Sequence, residues 1–211
     1  MGFVFPKIYP ILDVSVFPAV GRGEFLDRLG RSLADAGVRL MEYRNKIGTD
    51  AEVLSDARIL RVAMPLAKLV MDDRVDVALA AAFDGVHVDA GDLPPAEARK
   101  LLGAAALIGT SASTQAQLMK SLARGTDYIA FGPVFPTTTK QTSVPPIGVE
   151  GVARFRATAG AKPVLVAAAG ITLDTAPAIL RAGADVVAVS AAIFRSQDPA
   201  VEFSRWMATL G

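Results

Sequence analysis

Gly183-Ala184-Asp185-Val186-Val187-Ala188-Val189 is a turn followed by a short, unbroken apolar run. Such a run has no polar face, so it reads as a strand buried on both sides. Upstream, Leu173–Ala182 has helical periodicity and Gly183 stops it. Gly125-Thr126-Asp127 leads into Tyr128–Phe131 in the same way, after a helical stretch at Thr114–Arg124. The glycine-x-aspartate step is read as the helix-to-strand turn of an α/β unit and not as chemistry.

Working outward from these two units gives strands at Ile8–Leu12, Arg39–Arg44, Lys68–Met71, Gly85–Val88, Leu107–Thr110, Tyr128–Phe131, Pro163–Ala167 and Val186–Val189. Helical segments separate them. Glu24–Ala36 is expected to bury Phe25, Leu29, Leu33 and Ala36 before Gly37 ends it. Ala51–Met64 stops at Pro65, and Pro199–Leu210 turns Val201, Phe203, Trp206 and Met207 inward. Eight alternations predict a single (β/α)8 TIM barrel over residues 1–211. A doubly wound open sheet shares the alternation, but the count of eight favours the barrel.

Apolar residues make up 52% of the chain and charged residues 20%, enough for a large core. A net charge of +1 offers no basic field for nucleic acid or for an anionic membrane. With no cysteine and one histidine, thiolate zinc sites, thiol nucleophiles and multi-histidine metal sites are excluded. The N-terminus lacks a signal-peptide pattern, and no charge-free apolar stretch is long enough to span a bilayer. The expectation is a cytoplasmic protein that binds small molecules; a homo-oligomer stays open.

In a parallel barrel the loops after the strands form the active face, and the unusual polar residues fall there. Glu42, Arg44 and Lys46 occupy alternate positions at strand two, so they share one side of the backbone. Asp72 and Asp73 follow strand three, and Asp89 and Asp92 follow strand four. Ser111 and Ser113 follow strand five, Gly170 strand seven, and Ser190 strand eight. After strand six, Gly132-Pro133-Val134-Phe135-Pro136 delivers Thr137, Thr138, Thr139 and Lys140, three hydroxyls and an ammonium suited to a phosphate. Cations facing carboxylates suit a Mg²⁺-bound diphosphate. Plainer readings stand beside this one. Arg44 and Lys46 can be solvated loop charges, one of Asp72 and Asp73 can cap the helix near Arg74, and His87 reads as a hydrogen-bonded core residue.

Taken in order, Met41-Glu42-Tyr43-Arg44-Asn45-Lys46, Asp72-Asp73-Arg74-Val75-Asp76, Asp84-Gly85-Val86-His87-Val88, Ile108-Gly109-Thr110-Ser111, Gly132–Lys140 and Ala169-Gly170-Ile171 resemble the thiamine phosphate synthase family. The likeness covers nearly the whole chain, and the segment ending at Lys140 is its most specific part. The family joins a pyrimidine diphosphate to a thiazole phosphate and releases pyrophosphate. The resemblance implies that Arg44, Lys46, Ser111 and Lys140 hold and neutralise the diphosphate, with Mg²⁺ on Asp73 and Asp92. It places Thr137 and Thr139 at the thiazole phosphate, with backbone N–H groups from Gly170, Ser190 and Ala191. Glu42 and Asp72 stand where the family usually has Gln and Asn, and each adds negative charge beside a polyanion. Ser113 stands where it usually has His, and Ala169 replaces the first of two glycines. A thiazole tautomerase-like isomerase and a non-catalytic phosphate-binding barrel are the alternatives; the isomerase would need a proton-shuttling His near position 113.

Overall fold

The computed structural model describes residues 3–18, 20–137 and 143–211. Eight parallel strands close into a barrel in chain order, with β1 (Ile8–Asp13) completing the circle against β8 (Val186–Val189). Between them run β2 (Leu40–Arg44), β3 (Lys68–Asp72), β4 (Gly85–His87), β5 (Leu107–Ala112), β6 (Tyr128–Phe131) and β7 (Val164–Ala168). The open-sheet alternative is thereby excluded.

The helices are α1 (Arg22–Asp35), α2 (Asp50–Ala63), α3 (Val75–Ala80), α4 (Pro95–Leu102), α5 (Gln115–Leu122), α6 (Gly148–Ala159), α7 (Ala176–Arg181), α8 (Ala191–Phe194) and α9 (Pro199–Leu210). The short α8 adds one helix beyond strict alternation, directly after β8. Local signals explain several starts. Thr49 and Glu52 form a reciprocal capping box on α2, and the Asp198 carboxylate caps α9. Helix α1 buries Leu29 and Leu33 as expected, with Leu26 and Gly30 beside them, while Phe25 and Ala36 are only partly covered. Helix α9 buries Phe203 and Trp206, whereas Val201 and Met207 are exposed, contrary to expectation.

Two apolar layers result. The larger lies between strands and helices, and the smaller fills the barrel with Tyr9, Leu40, Val70, Leu107, Tyr128, Val166, Val186 and Ala188. Gly109 makes this interior possible, because a Cβ there would lie 2.0 Å from the Tyr128 ring. Phe5 packs edge-on against Tyr128 at 5.7 Å from the N-terminal side.

The base of the barrel carries a repeated latch. Asp84, the residue before β4, accepts hydrogen bonds from the Leu69 amide at 3.0 Å and from Arg61 of α2 at 2.8 Å. Asp127, before β6, accepts from the Ile108 amide at 2.7 Å and from Arg99 of α4 at 2.8 Å. Asp185, before β8, accepts from the Leu165 amide at 2.8 Å and pairs with Arg156 of α6. Each arginine also donates to carbonyls of the turns around it, such as Ala67, Ala106 and Gly183. Burial works against the Asp84 charge, but Lys68 and the Leu69 amide outweigh it and hold its pKa below the usual range. The pair β1–β2 lacks the latch, since Arg39 precedes β2. The glycine-x-aspartate turn is therefore a staple between neighbouring strands as well as a change of direction.

Candidate active site

The C-terminal ends of the strands open into a cavity of about 410 Å³. Alternation along each strand decides what faces it: Tyr9, Ile11 and Asp13 from β1, Glu42 and Arg44 from β2, Asp72 from β3. His87, Asp89, Ser111, Thr137, Gly170, Thr172 and Ser190 add to its polar lining. Small residues, Ala130, Ala168 and Ala188, leave the space that the polar groups surround. Glu42 and Arg44 lie within β2, inside the expected strand, while Asp72 and Ser111 belong to β3 and β5 themselves and not to the loops after them.

Charge is concentrated where β1, β2 and β3 end. Arg44 pairs with Asp13, and its Nε lies 3.5 Å from Asp72. Lys46 pairs with Asp73 and lies 2.9 Å from Asp72. Neither cation is a freely solvated loop charge. Burial pushes the Asp72 carboxyl up in pKa despite Lys46 and His87 nearby. Partial burial disfavours the Lys46 ammonium, but the same two aspartates reverse that and raise its pKa. Neither Asp72 nor Asp73 caps α3, whose N-cap position is Arg74 and has no side-chain cap.

Asp73 takes a left-handed backbone conformation (φ 62°), with its amide donating to the His87 carbonyl at 2.8 Å. This turn brings its carboxylate beside that of Asp92. Asp92 accepts from the Asp89 amide at 2.7 Å, and burial followed by the Asp73 charge raises its pKa. Asp73, Asp92 and Lys46 sit outside the cavity lining. The Asp73 Oδ1 is buried without a hydrogen-bond donor among the described residues. Two adjacent carboxylates with an unsatisfied oxygen suit a hard cation that keeps waters and takes its other ligands from a diphosphate. Among the described residues, no cluster of three or more His, Asp or Glu could hold a metal alone.

The opposite wall carries Gly170 in the left-handed region (φ 70°), where a Cβ would lie 2.5 Å from the Pro136 carbonyl oxygen. Only glycine fits there without displacing that backbone. Ala169 is also left-handed (φ 74°), a strained state for alanine. Ser190 lies at the start of α8 with its Oγ buried and without a hydrogen-bond partner among the described residues, and Ala191 lines the cavity beside it. Thr138, Thr139 and Lys140 lie outside the described residues.

Inside the cavity runs a polar chain of which only Glu42 and Ser111 stood among the sequence candidates. Tyr9 donates to Glu42 at 3.0 Å, and the Tyr9 and Tyr128 hydroxyls lie 3.0 Å apart. The Tyr128 hydroxyl is 3.1 Å from His87 Nδ1, and His87 Nε2 is 2.8 Å from Ser111 Oγ. His87 is buried and hydrogen-bonded, as expected of a core residue, yet it faces the ligand space. Burial raises the Glu42 carboxyl to about 7, with Asp72 adding to it and His87 opposing it. Burial disfavours protonated His87, but Asp89 and Glu42 outweigh it and raise its pKa to about 9.

A family profile described as thiamine monophosphate synthase matches residues 8–193. The chain is 39% identical over 191 residues to the thiamine-phosphate synthase of Koribacter versatilis, covering 90% of each protein. The chain belongs to the thiamine monophosphate synthase family. The same named protein of Agrobacterium fabrum is 40% identical over 176 residues, 81% of this chain and 80% of that one. Among solved structures, the thiamine phosphate pyrophosphorylase from Pyrococcus furiosus superimposes with a TM-score of 0.82 at 28% identity, over 97% of this chain and 95% of that one. Glu42 and Asp72 put negative charge inside the cavity, 4% and 9% exposed.

Proposed function

We propose that this protein is a thiamine phosphate synthase. It joins 4-amino-2-methyl-5-(diphosphooxymethyl)pyrimidine to a thiazole phosphate, releasing pyrophosphate and forming thiamine phosphate. The observation that carries the reading is the pairing of Arg44 and Lys46 with aspartates at the mouth of a cavity sized for small molecules. The whole chain acts as one barrel domain in the cytoplasm, on phosphorylated small molecules; no nucleic-acid or membrane partner is part of the reading, and self-association remains compatible with it. Among the described residues, no helix is long and apolar enough to cross a membrane.

The reaction asks for charge neutralisation and alignment more than for acid–base chemistry. The bond between the pyrimidine methylene and the diphosphate oxygen breaks, its electron pair leaves with pyrophosphate, and the thiazole nitrogen captures the resulting pyrimidinylmethyl cation. Arg44 offers a planar fork to the departing oxygens, while Lys46 and Lys140 act as point charges, with Ser111 adding a hydroxyl. Asp73 and Asp92 would hold Mg²⁺, which supplies positive charge to the diphosphate when bound. Glu42 and Asp72 face the pyrimidine side, and Thr137, Thr139, Gly170, Ser190 and Ala191 the thiazole phosphate. Ser113 stands where an isomerase would need its histidine, which disfavours that alternative.

Coupled measurement of pyrophosphate release and thiamine phosphate formation from the two half-substrates tests the reading. Activity is expected with Mg²⁺ and lost in Asp73→Ala. Full turnover of that variant in chelator would overturn the metal assignment, and no product from wild type would overturn the function.

A further inference from the structure

Asn45 lies between Arg44 and Lys46 but does not line the cavity. Its side chain organises the loop from β2 to α2. Asn45 Oδ1 accepts from the Ile47 amide at 3.2 Å and the Gly48 amide at 2.8 Å. Its Nδ2 donates to the Tyr43 hydroxyl at 3.0 Å. Tyr43 points away from the cavity and donates to Asp56 of α2, itself 3% exposed. Arg22 of α1 closes the cluster, with Nε 2.9 Å from Asp56 Oδ2 and its guanidinium 4.9 Å above the Phe17 ring. Phe17 in turn stacks on Tyr43 at 6.2 Å. A Cβ on Gly48 would lie 2.5 Å from Asn45 Nδ2, so the loop is wrapped tightly around this one amide.

The cost of ordering a long lysine side chain falls when the backbone beneath it is already fixed. Asn45 holds the segment that follows Lys46 through the Ile47 and Gly48 amides, and Asn45 is held by a buried cluster joining α1, α2 and β2. We infer that Asn45 is a positioning residue: it sets the loop that aims Lys46 at the anionic leaving group. The inference rests on Lys46 acting at the diphosphate, as proposed above. Asn45 contributes no charge and touches no reacting atom, so its whole effect on the reaction passes through its neighbour.

A double-mutant cycle tests this, read by calorimetric binding of inorganic pyrophosphate with Mg²⁺ and by KM for the pyrimidine diphosphate. Asn45→Ala is expected to weaken both about tenfold, because small misplacements of a binding group are costly. In a Lys46→Ala background the same substitution should cost almost nothing further. Gly48→Ala, which crowds the amide without removing it, should reproduce the loss, and it carries the test should Asn45→Ala not fold. Equal losses in both backgrounds, or unchanged pyrophosphate affinity in Asn45→Ala and Gly48→Ala, would overturn the inference. If Lys46→Ala itself leaves pyrophosphate binding intact, the diphosphate reading of the mouth fails instead, and this proposal falls with it.

Discussion

At the base of the barrel, Asp84, Asp127 and Asp185 each meet a strand amide and an arginine. At the mouth, Asp72 and Asp73 share Lys46, and Asp73 keeps an oxygen without a hydrogen-bond partner among the described residues. The same residue types thus end in opposite electrostatic states. Asp84 is held below its ordinary pKa, whereas Asp72 is pushed above it. A carboxylate whose lone pairs are filled by the fold has finished its work when folding is complete. One left underfilled in a buried place destabilises the protein unless a ligand or ion completes it. The contrast separates residues that hold the barrel together from residues that await something.

The largest effect expected from this contrast is at Lys46. Lys46→Ala should lower kcat/KM roughly 10²–10³-fold, the scale seen when one preorganised charge donor is lost. Its melting temperature should move little, because the side chain is partly exposed and no backbone carbonyl among the described residues accepts from its ammonium. A large melting shift with little kinetic loss would place Lys46 with the base residues.

Glu42 should reveal the mouth's cost through pH. Its carboxyl titrates near 4.5 when unfolded and at about 7 when folded. Between those values the native state keeps a proton that the unfolded chain releases, so stability falls as pH rises through that window. Glu42→Gln should flatten this slope and stabilise the protein at pH 8 by up to about 3 kcal/mol. His87, raised to about 9, contributes a further fall at higher pH, and losing Glu42 should shorten that too. Denaturant titrations from pH 5 to 8 measure it; parallel profiles for the two proteins would show that Glu42 is not the group responsible.

A smaller effect is expected at the base. Asp84→Ala leaves the Leu69 amide and two cations without their acceptor, a cost of about 1–3 kcal/mol. The melting temperature should drop by about 2–4 °C per kcal/mol while kcat/KM of the folded protein holds. A kinetic defect exceeding the stability loss would mean that the two ends are coupled.

How far the sequence could be read follows the same division. The barrel was legible because buried parallel strands write themselves as unbroken apolar runs, and Gly183 and Gly125 mark where helices stop. The latches were not, because each Asp finds its arginine 23, 28 or 29 residues upstream, across a strand and a helix. Arg44 and Lys46 were found by asking which alternate positions share a side. Applied to β4, that question pairs His87 with Asp89 and turns both inward, which burial alone does not reveal. Tyr9 and Tyr128 were hidden differently, since each is an aromatic in an apolar run and only the closed barrel sets their hydroxyls 3.0 Å apart. The inner faces of α1 and α9 were legible at Leu29, Leu33, Phe203 and Trp206, but not at Phe25, Val201 and Met207, because one turn tolerates several apolar positions and packing chooses among them.

Of the four quarters β1–β2, β3–β4, β5–β6 and β7–β8, only the first lacks the latch, and it carries Asp13, Glu42 and Arg44 and leads into Lys46. The most chemically specialised quarter of the barrel is the one its base holds least by ionic staples. Inheritance gains a particular freedom from this. A descendant can rewrite those two strand ends, exchanging one anion preference for another, while three sturdy quarters carry the backbone unchanged through the intermediate sequences.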